Sequence, residues 1–186
     1  MLSLALVLNA IMFLVGLVAG IVAQSTGLIA DSLDMLADAA TYAIALSAVK
    51  RGRLFKARAA TVSGSVLLVL GIAVLLDAVR RGVLGSSPES GIMMVVASIS
   101  LLVNATVLYL LGKYRDGEVH LRATWIFTPV DVIANVTVIL SGLVILLTRF
   151  RFIDLVAGGA IGLYVIKEAL EILREAREAR RLARTT

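Results

Sequence analysis

Apolar residues in this chain come in long runs rather than in alternation, and polar residues gather in short clusters between the runs. Six runs stand out, at residues 3–24, 28–49, 60–79, 91–112, 124–148 and 152–172. Each approaches the roughly 20 residues a helix needs to cross a bilayer. The clusters between them are rich in turn formers: "AQSTG", "GVLGSSPESG" and "GKYRDGEVHLR". The pattern predicts an all-α membrane protein of six transmembrane helices. One domain covers residues 1–173, and a short charged tail, 174–186, continues the last helix into water. Within and just before that tail, Glu171–Arg174, Arg174–Glu178 and Glu178–Arg181 lie three or four apart, as an exposed helix favours. The run "KEALEILREAREARRLART" therefore reads as a solvated face. Gly16–Gly20 and Gly158–Gly162 are pairs of small residues one turn apart, which let helices approach closely.

Composition agrees with this reading. Sixty per cent of the residues are hydrophobic, against about 45–50% in soluble domains. The absence of cysteine excludes disulfides and thiolate metal sites. The first span has no basic leader and too long an apolar stretch for a signal peptide, so it reads as a retained helix. Fourteen of the 18 Lys and Arg residues fall in alternate exposed segments: the "KRGRLFKAR" loop, the loop holding Lys113, Arg115 and Arg122, and the C-terminal tail with Lys167. Arg80, Arg81, Arg149 and Arg151 occupy the opposite loops. The positive-inside rule then predicts a multi-pass cell-membrane protein with both termini in the cytoplasm. The basic excess serves topology and contact with anionic lipid, and no nucleic acid is implied. Trp125 and Tyr114 read as interface anchors, and Asp77 and Asp154, at span ends, as interfacial.

The second span interrupts this apolar pattern. "LIADSLDMLADAATYAIAL" holds Asp31, Asp34 and Asp38, spaced three and four apart and so aligned on one helical stripe. The fifth span adds Asp131 and, one turn on, Asn135 in "TPVDVIANVTV". Asp38 lies roughly 15 Å into its span and Asp131 about 10 Å into its own, and the two helices enter from opposite sides, so the acids can reach a common depth. An ionised carboxylate at such depth costs about 2.5–3.5 kcal/mol on insertion scales. No Lys, Arg or His stands in the middle of any span to neutralise it, and the single histidine, His120, falls in a loop. These acids must stay protonated, face water or bind a cation. A cluster that holds protons until a metal displaces them meets the requirement for exchanging one against the other.

Asp34, Asp38 and Asp131 are the candidate metal ligands. Asn135 serves either as a ligand or as a polar link between helices. Asp31, in the first turn of its helix, is favoured there by the macrodipole or supports the site. Thr128 lines the approach or bonds its own backbone. Asn9 and Asn104 read as interhelical links.

At these residues the chain resembles the cation diffusion facilitator family. "LNAIMFLVGLVAGIVAQSTGLIADSLDMLADA" looks like the family's opening, and Asp34–Asp38 like its paired ligands on the second helix. "NVTVILSGLVI" and "FIDLVAGGAIGLYVIKEALEILREA" look like its fifth and last helices. Asp131 matches the second fifth-helix ligand, whereas the position four earlier is Phe127, which cannot coordinate metal. It resembles a branch in which Asn135 replaces that ligand. The first helix lacks the glutamate many relatives carry near Gly16, and the chain stops where relatives usually continue into a cytoplasmic metal-binding domain.

The resemblance implies a homodimer, not an enzyme, that exports a divalent cation against inward protons by alternating access. Oxygen ligands suit Mn, Fe(II), Mg or Co, and Zn is the family's most frequent cargo. Two other readings remain. One is a non-transporting metal-binding or sensing subunit, suggested by Phe127 and the missing terminal domain. The other is an intramembrane aspartyl protease, whose paired acids share a proton. Against the protease, Asp131 follows "TPV" and lacks flanking glycines, and one helix carries three acids where one would suffice.

Overall fold

Each apolar run forms a helix: α1 Leu2–Val22, α2 Thr26–Ser47, α3 Arg53–Leu84, α4 Ser90–Gly112, α5 Val119–Thr148 and α6 Phe152–Thr185. The computed structural model describes the backbone of residues 1–47, 53–112 and 119–185, and the side chains of 1–47, 54–110 and 130–182. Among the described residues all regular structure is helical, and there is no strand.

Helices α3 and α5 outrun their hydropathy boundaries. Helix α3 is 32 residues long and α5 30, both longer than their apolar runs. Helical hydrogen bonding continues beyond the lipid-compatible stretch until something stops it, so hydropathy marks only part of the helix. His120, expected in a loop, therefore lies within α5. At the end of α3 the stop is Gly85, with φ of 94° and an N–H bonded to the Arg81 carbonyl at 2.9 Å.

Helices α1, α3, α4 and α5 carry stretches long and apolar enough to cross a membrane by length and composition. Helices α2 and α6 do not reach that threshold, and packing supplies the reason they can lie among the others. Every other helix touches α2, while α3 lies along α6, α1 along α2 and α4 along α5. The acids of α2 thus face protein rather than the outer surface. That surface is apolar: Leu14, Val18, Val69, Leu76, Leu102 and Leu140 are among its exposed residues.

Glycine permits the closest approaches. A Cβ on Gly16 would stand 3.1 Å from the Cβ of Ser32, and one on Gly20 only 2.8 Å from the Ile29 nitrogen, so α1 lies against the backbone of α2. On α6, a Cβ at Gly158 would meet the Thr26 carbonyl carbon at 2.5 Å. Both small-residue pairs therefore serve packing within the chain.

The start of α2 is fixed by a residue far away in sequence. The Asp154 carboxylate of α6 accepts hydrogen bonds from the Thr26 N–H at 2.7 Å, the Gly27 N–H at 3.0 Å and the Ser25 hydroxyl at 2.7 Å. The Ser25 Oγ in turn accepts from the Leu28 N–H at 3.1 Å. The first amide donors of α2, which no helix can satisfy internally, are thereby paired. Asp154 is fully buried, so its expected interfacial position gives way to that of a cap across helices. Asp77 instead pairs with Arg80 and Arg81 on its own helix.

Candidate metal centre

Helical periodicity puts Asp31, Asp34 and Asp38 on one stripe of α2, and packing divides that stripe into two levels. At the first level Asp31 is buried and accepts a hydrogen bond from the Asn135 amide of α5. The Asn135 carbonyl oxygen accepts from Asn104 Nδ2 of α4 at 3.0 Å. This is a closed polar link across three helices. Asn104 takes the linking role expected of it, whereas Asn9 bonds the Ala5 carbonyl of its own helix at 3.0 Å.

One turn further along α2, the second level gathers carboxyl groups. Asp34 of α2 and Asp131 of α5, both buried, lie close enough to act on one another electrostatically. Glu168 of α6 acts on Asp34 in the same way. Asp38, half-buried on the next turn, interacts electrostatically with Asp34, Asp131 and Glu168. The hydroxyl of Tyr42, on the turn after that, is buried and feels Asp38, Asp131 and Glu168. Two polar atoms here are buried without a hydrogen-bond partner: the Asp131 Oδ2 and the Tyr42 Oη.

Carboxyl groups this close cannot all be ionised with nothing between them, so neighbours share protons or a cation joins them. Among the described residues no three Asp, Glu, His or Cys side chains already surround a common point as ligands would. The contacts run pairwise through Asp34, an arrangement suited to shared protons. The side chains of Phe127 and Thr128 lie outside the described residues, as do those of Tyr114, His120 and Trp125.

Glu168 is the residue sequence reasoning missed. It lies in the run read as a solvated face, and that expectation fails for one side of the helix. Ile161, Val165, Ala169 and Ala176 are buried, and Leu173 and Ile172 lie close to Gly64 of α3. Glu168 falls on the stripe of Ile161 and Val165, at offsets of seven and three; Lys167 and Glu171 face outward and pair at 3.6 Å. That seven-residue offset from Ile161 was the available signal, obscured by the density of charge around it.

With this geometry in hand, comparison with known proteins is decisive at the level of family. Residues 2–179 match the family model for the cation efflux transmembrane domain. The chain belongs to the cation efflux family. Two curated relatives are a metal cation efflux system protein CzcD from Cupriavidus metallidurans and a cation efflux system protein CzcD from an Alcaligenes species. Each is 26% identical over 187 aligned positions, which cover 93% of this chain and 58% of the relative. The chain therefore spans under two thirds of the length of these efflux-system relatives.

Proposed function

We propose that this chain exports a divalent metal cation from the cytoplasm in exchange for protons, by alternating access, with all six helices spanning the membrane and both termini inside. The observation that carries the reading is the burial of Asp34 and Asp131, unneutralised acids of different helices that act on one another electrostatically. Asp34, Asp38 and Asp131 supply the charge. Asn135 supplies a neutral oxygen once it releases Asn104 and Asp31. Asp31 supports the site from its own level, and Thr128 is assigned to the approach.

The pairwise carboxyl contacts fit a proton-loaded state. A small rotation of α2 against α5 re-aims the same oxygens at one ion, expelling the protons they share. Metal and protons then compete for the same atoms, and that competition is the coupling. An all-oxygen donor set favours Mn, Fe(II) or Co and leaves Zn a candidate. A homodimer, as in the family resemblance, is part of the proposal. The family match favours transport over intramembrane proteolysis.

Reconstitution of the purified chain into proteoliposomes tests this directly. Mn2+ or Zn2+ uptake accompanied by proton movement, lost in Asp34→Asn, is the expected result. Metal binding without flux would instead identify a sensing subunit, and flux indifferent to a pH gradient would identify a channel.

A further inference from the structure

We propose that Glu168 of α6 is a further ligand of the transported cation, one that the ion meets together with Asp34 and Asp38 on the α6 side of the centre. This rests on the metal-transport reading of Asp34 and Asp131 given above.

Helix register supports the assignment. Asp154 fixes the start of α6 to the start of α2, and Glu168 meets Asp34 further on, so the two helices run parallel. Gly158 abuts Thr26, and Glu168 lies ten residues on, about 15 Å of helix, while Asp34 and Asp38 lie about 12 Å and 18 Å from Thr26 by the same rise. In two parallel helices the side chains lean the same way, so Glu168 stands between the levels of Asp34 and Asp38. Its extra methylene gives it reach that an aspartate would lack.

Among the described residues no ion pair includes Glu168; Lys167 acts on it from the neighbouring position but turns outward to pair with Glu171. A second observation, independent of the acids, points to a ligand. Tyr42 is 1% exposed, and its hydroxyl, buried without a hydrogen-bond partner, lies in electrostatic range of Asp38, Asp131 and Glu168. The Asp131 Oδ2 is likewise buried and unpaired. Polar atoms are seldom left so, and a hydrated dication placed between these groups would satisfy both. In the orientation set by the basic residues, Glu168 lies on the cytoplasmic side of Asp34. A departing cation would meet it early.

The cysteine-free sequence makes the test clean. Full-length protein in detergent is titrated with Mn2+ by calorimetry as wild type, Asp34→Asn, Glu168→Gln and Glu168→Asp. Glu168→Gln is expected to weaken Mn2+ binding at least tenfold, and Glu168→Asp, which keeps the charge on a shorter stem, to fall between. Glu168→Cys introduces a unique thiol, and a soft thiolate ligand favours soft metals. Adding Cd2+ should produce an ultraviolet thiolate-to-metal band that is lost when Asp34→Asn is combined with it. A purely structural glutamate predicts no such band. Wild-type Mn2+ affinity in Glu168→Gln, with no Asp34-dependent band in Glu168→Cys, overturns the assignment. In that event, lost binding in Asp34→Asn leaves the centre proposed above standing, whereas wild-type binding in Asp34→Asn overturns that reading too.

Discussion

The Asn135 amide of α5 donates to the Asp31 carboxylate of α2, joining two helices at a point where neither residue is open to solvent. The other end of the same amide accepts from Asn104, so both ends of the side chain are engaged. Replacing it by alanine leaves two buried partners unpaired, which costs about 1–3 kcal/mol for a group so abandoned. Asn135→Ala is expected to melt earlier in detergent. It should also bind Mn2+ about 10–100-fold more weakly, the range for losing a group that holds or supports a ligand. Unchanged affinity in a destabilised variant would reduce Asn135 to a structural link.

Asp38 is expected to separate transport from insertion. Removing an acid from mid-helix lowers the insertion cost by roughly 2.5–3.5 kcal/mol, so Asp38→Ala should reach the membrane at wild-type level or better. Metal flux in proteoliposomes should nevertheless vanish. Wild-type flux from this variant would show that the ion does not pass Asp38.

Cation binding should weaken as the medium becomes more acid. Because Asp34 shares contacts with Asp131 and Glu168, an incoming ion must displace protons held among those oxygens. Lowering pH raises the concentration of that competitor, and each proton released adds up to about a tenfold loss of affinity per pH unit. Calorimetric titrations with Mn2+ between about pH 8 and pH 5 give the slope directly. A flat profile would be incompatible with exchange at these residues.

The junction of α2 and α6 offers a test of architecture. A methyl group at Gly158 would stand 2.5 Å from the Thr26 carbonyl carbon and 2.7 Å from the Gly27 nitrogen, whereas one at Gly159 would meet nothing within 4 Å. Gly158→Ala should force the helices apart at a cost of about 1–3 kcal/mol, the range for overpacking, and Gly159→Ala should be close to neutral. Thermal unfolding of the two variants makes the comparison. Gly158→Ala should also lower cation affinity, because the same displacement draws Glu168 away from Asp34.

Asp154 should resist replacement for a different reason. It accepts from two backbone amides of α2 and from Ser25, and removal of a helix cap typically costs about 0.5–2 kcal/mol. Asp154→Ala is expected to exceed that range, because the freed N–H groups stay buried. Asp154→Asn, which keeps one acceptor oxygen, should recover part of the loss. Equal melting temperatures for Asp154→Ala and wild type would contradict this role.

Much of this protein can be read one helix at a time. The six helices follow from runs of apolar residues, and the stripe of Asp31, Asp34 and Asp38 follows from spacings of three and four. Their chemical significance follows from the cost of placing unneutralised acids in an apolar run. Each of these is a local property. Partnership is not: Asp131 meets Asp34, Asn135 turns to Asp31 and Asn104, Asp154 caps a helix that begins 128 residues earlier, and Glu168 leaves a charged run to join the acids. Those choices depend on which face of each helix abuts α2. Gly16, Gly20 and Gly158 set those faces by letting backbones approach where any side chain would hold them apart. Periodicity places a residue on a stripe, and only the packing of one helix on another decides what that stripe confronts.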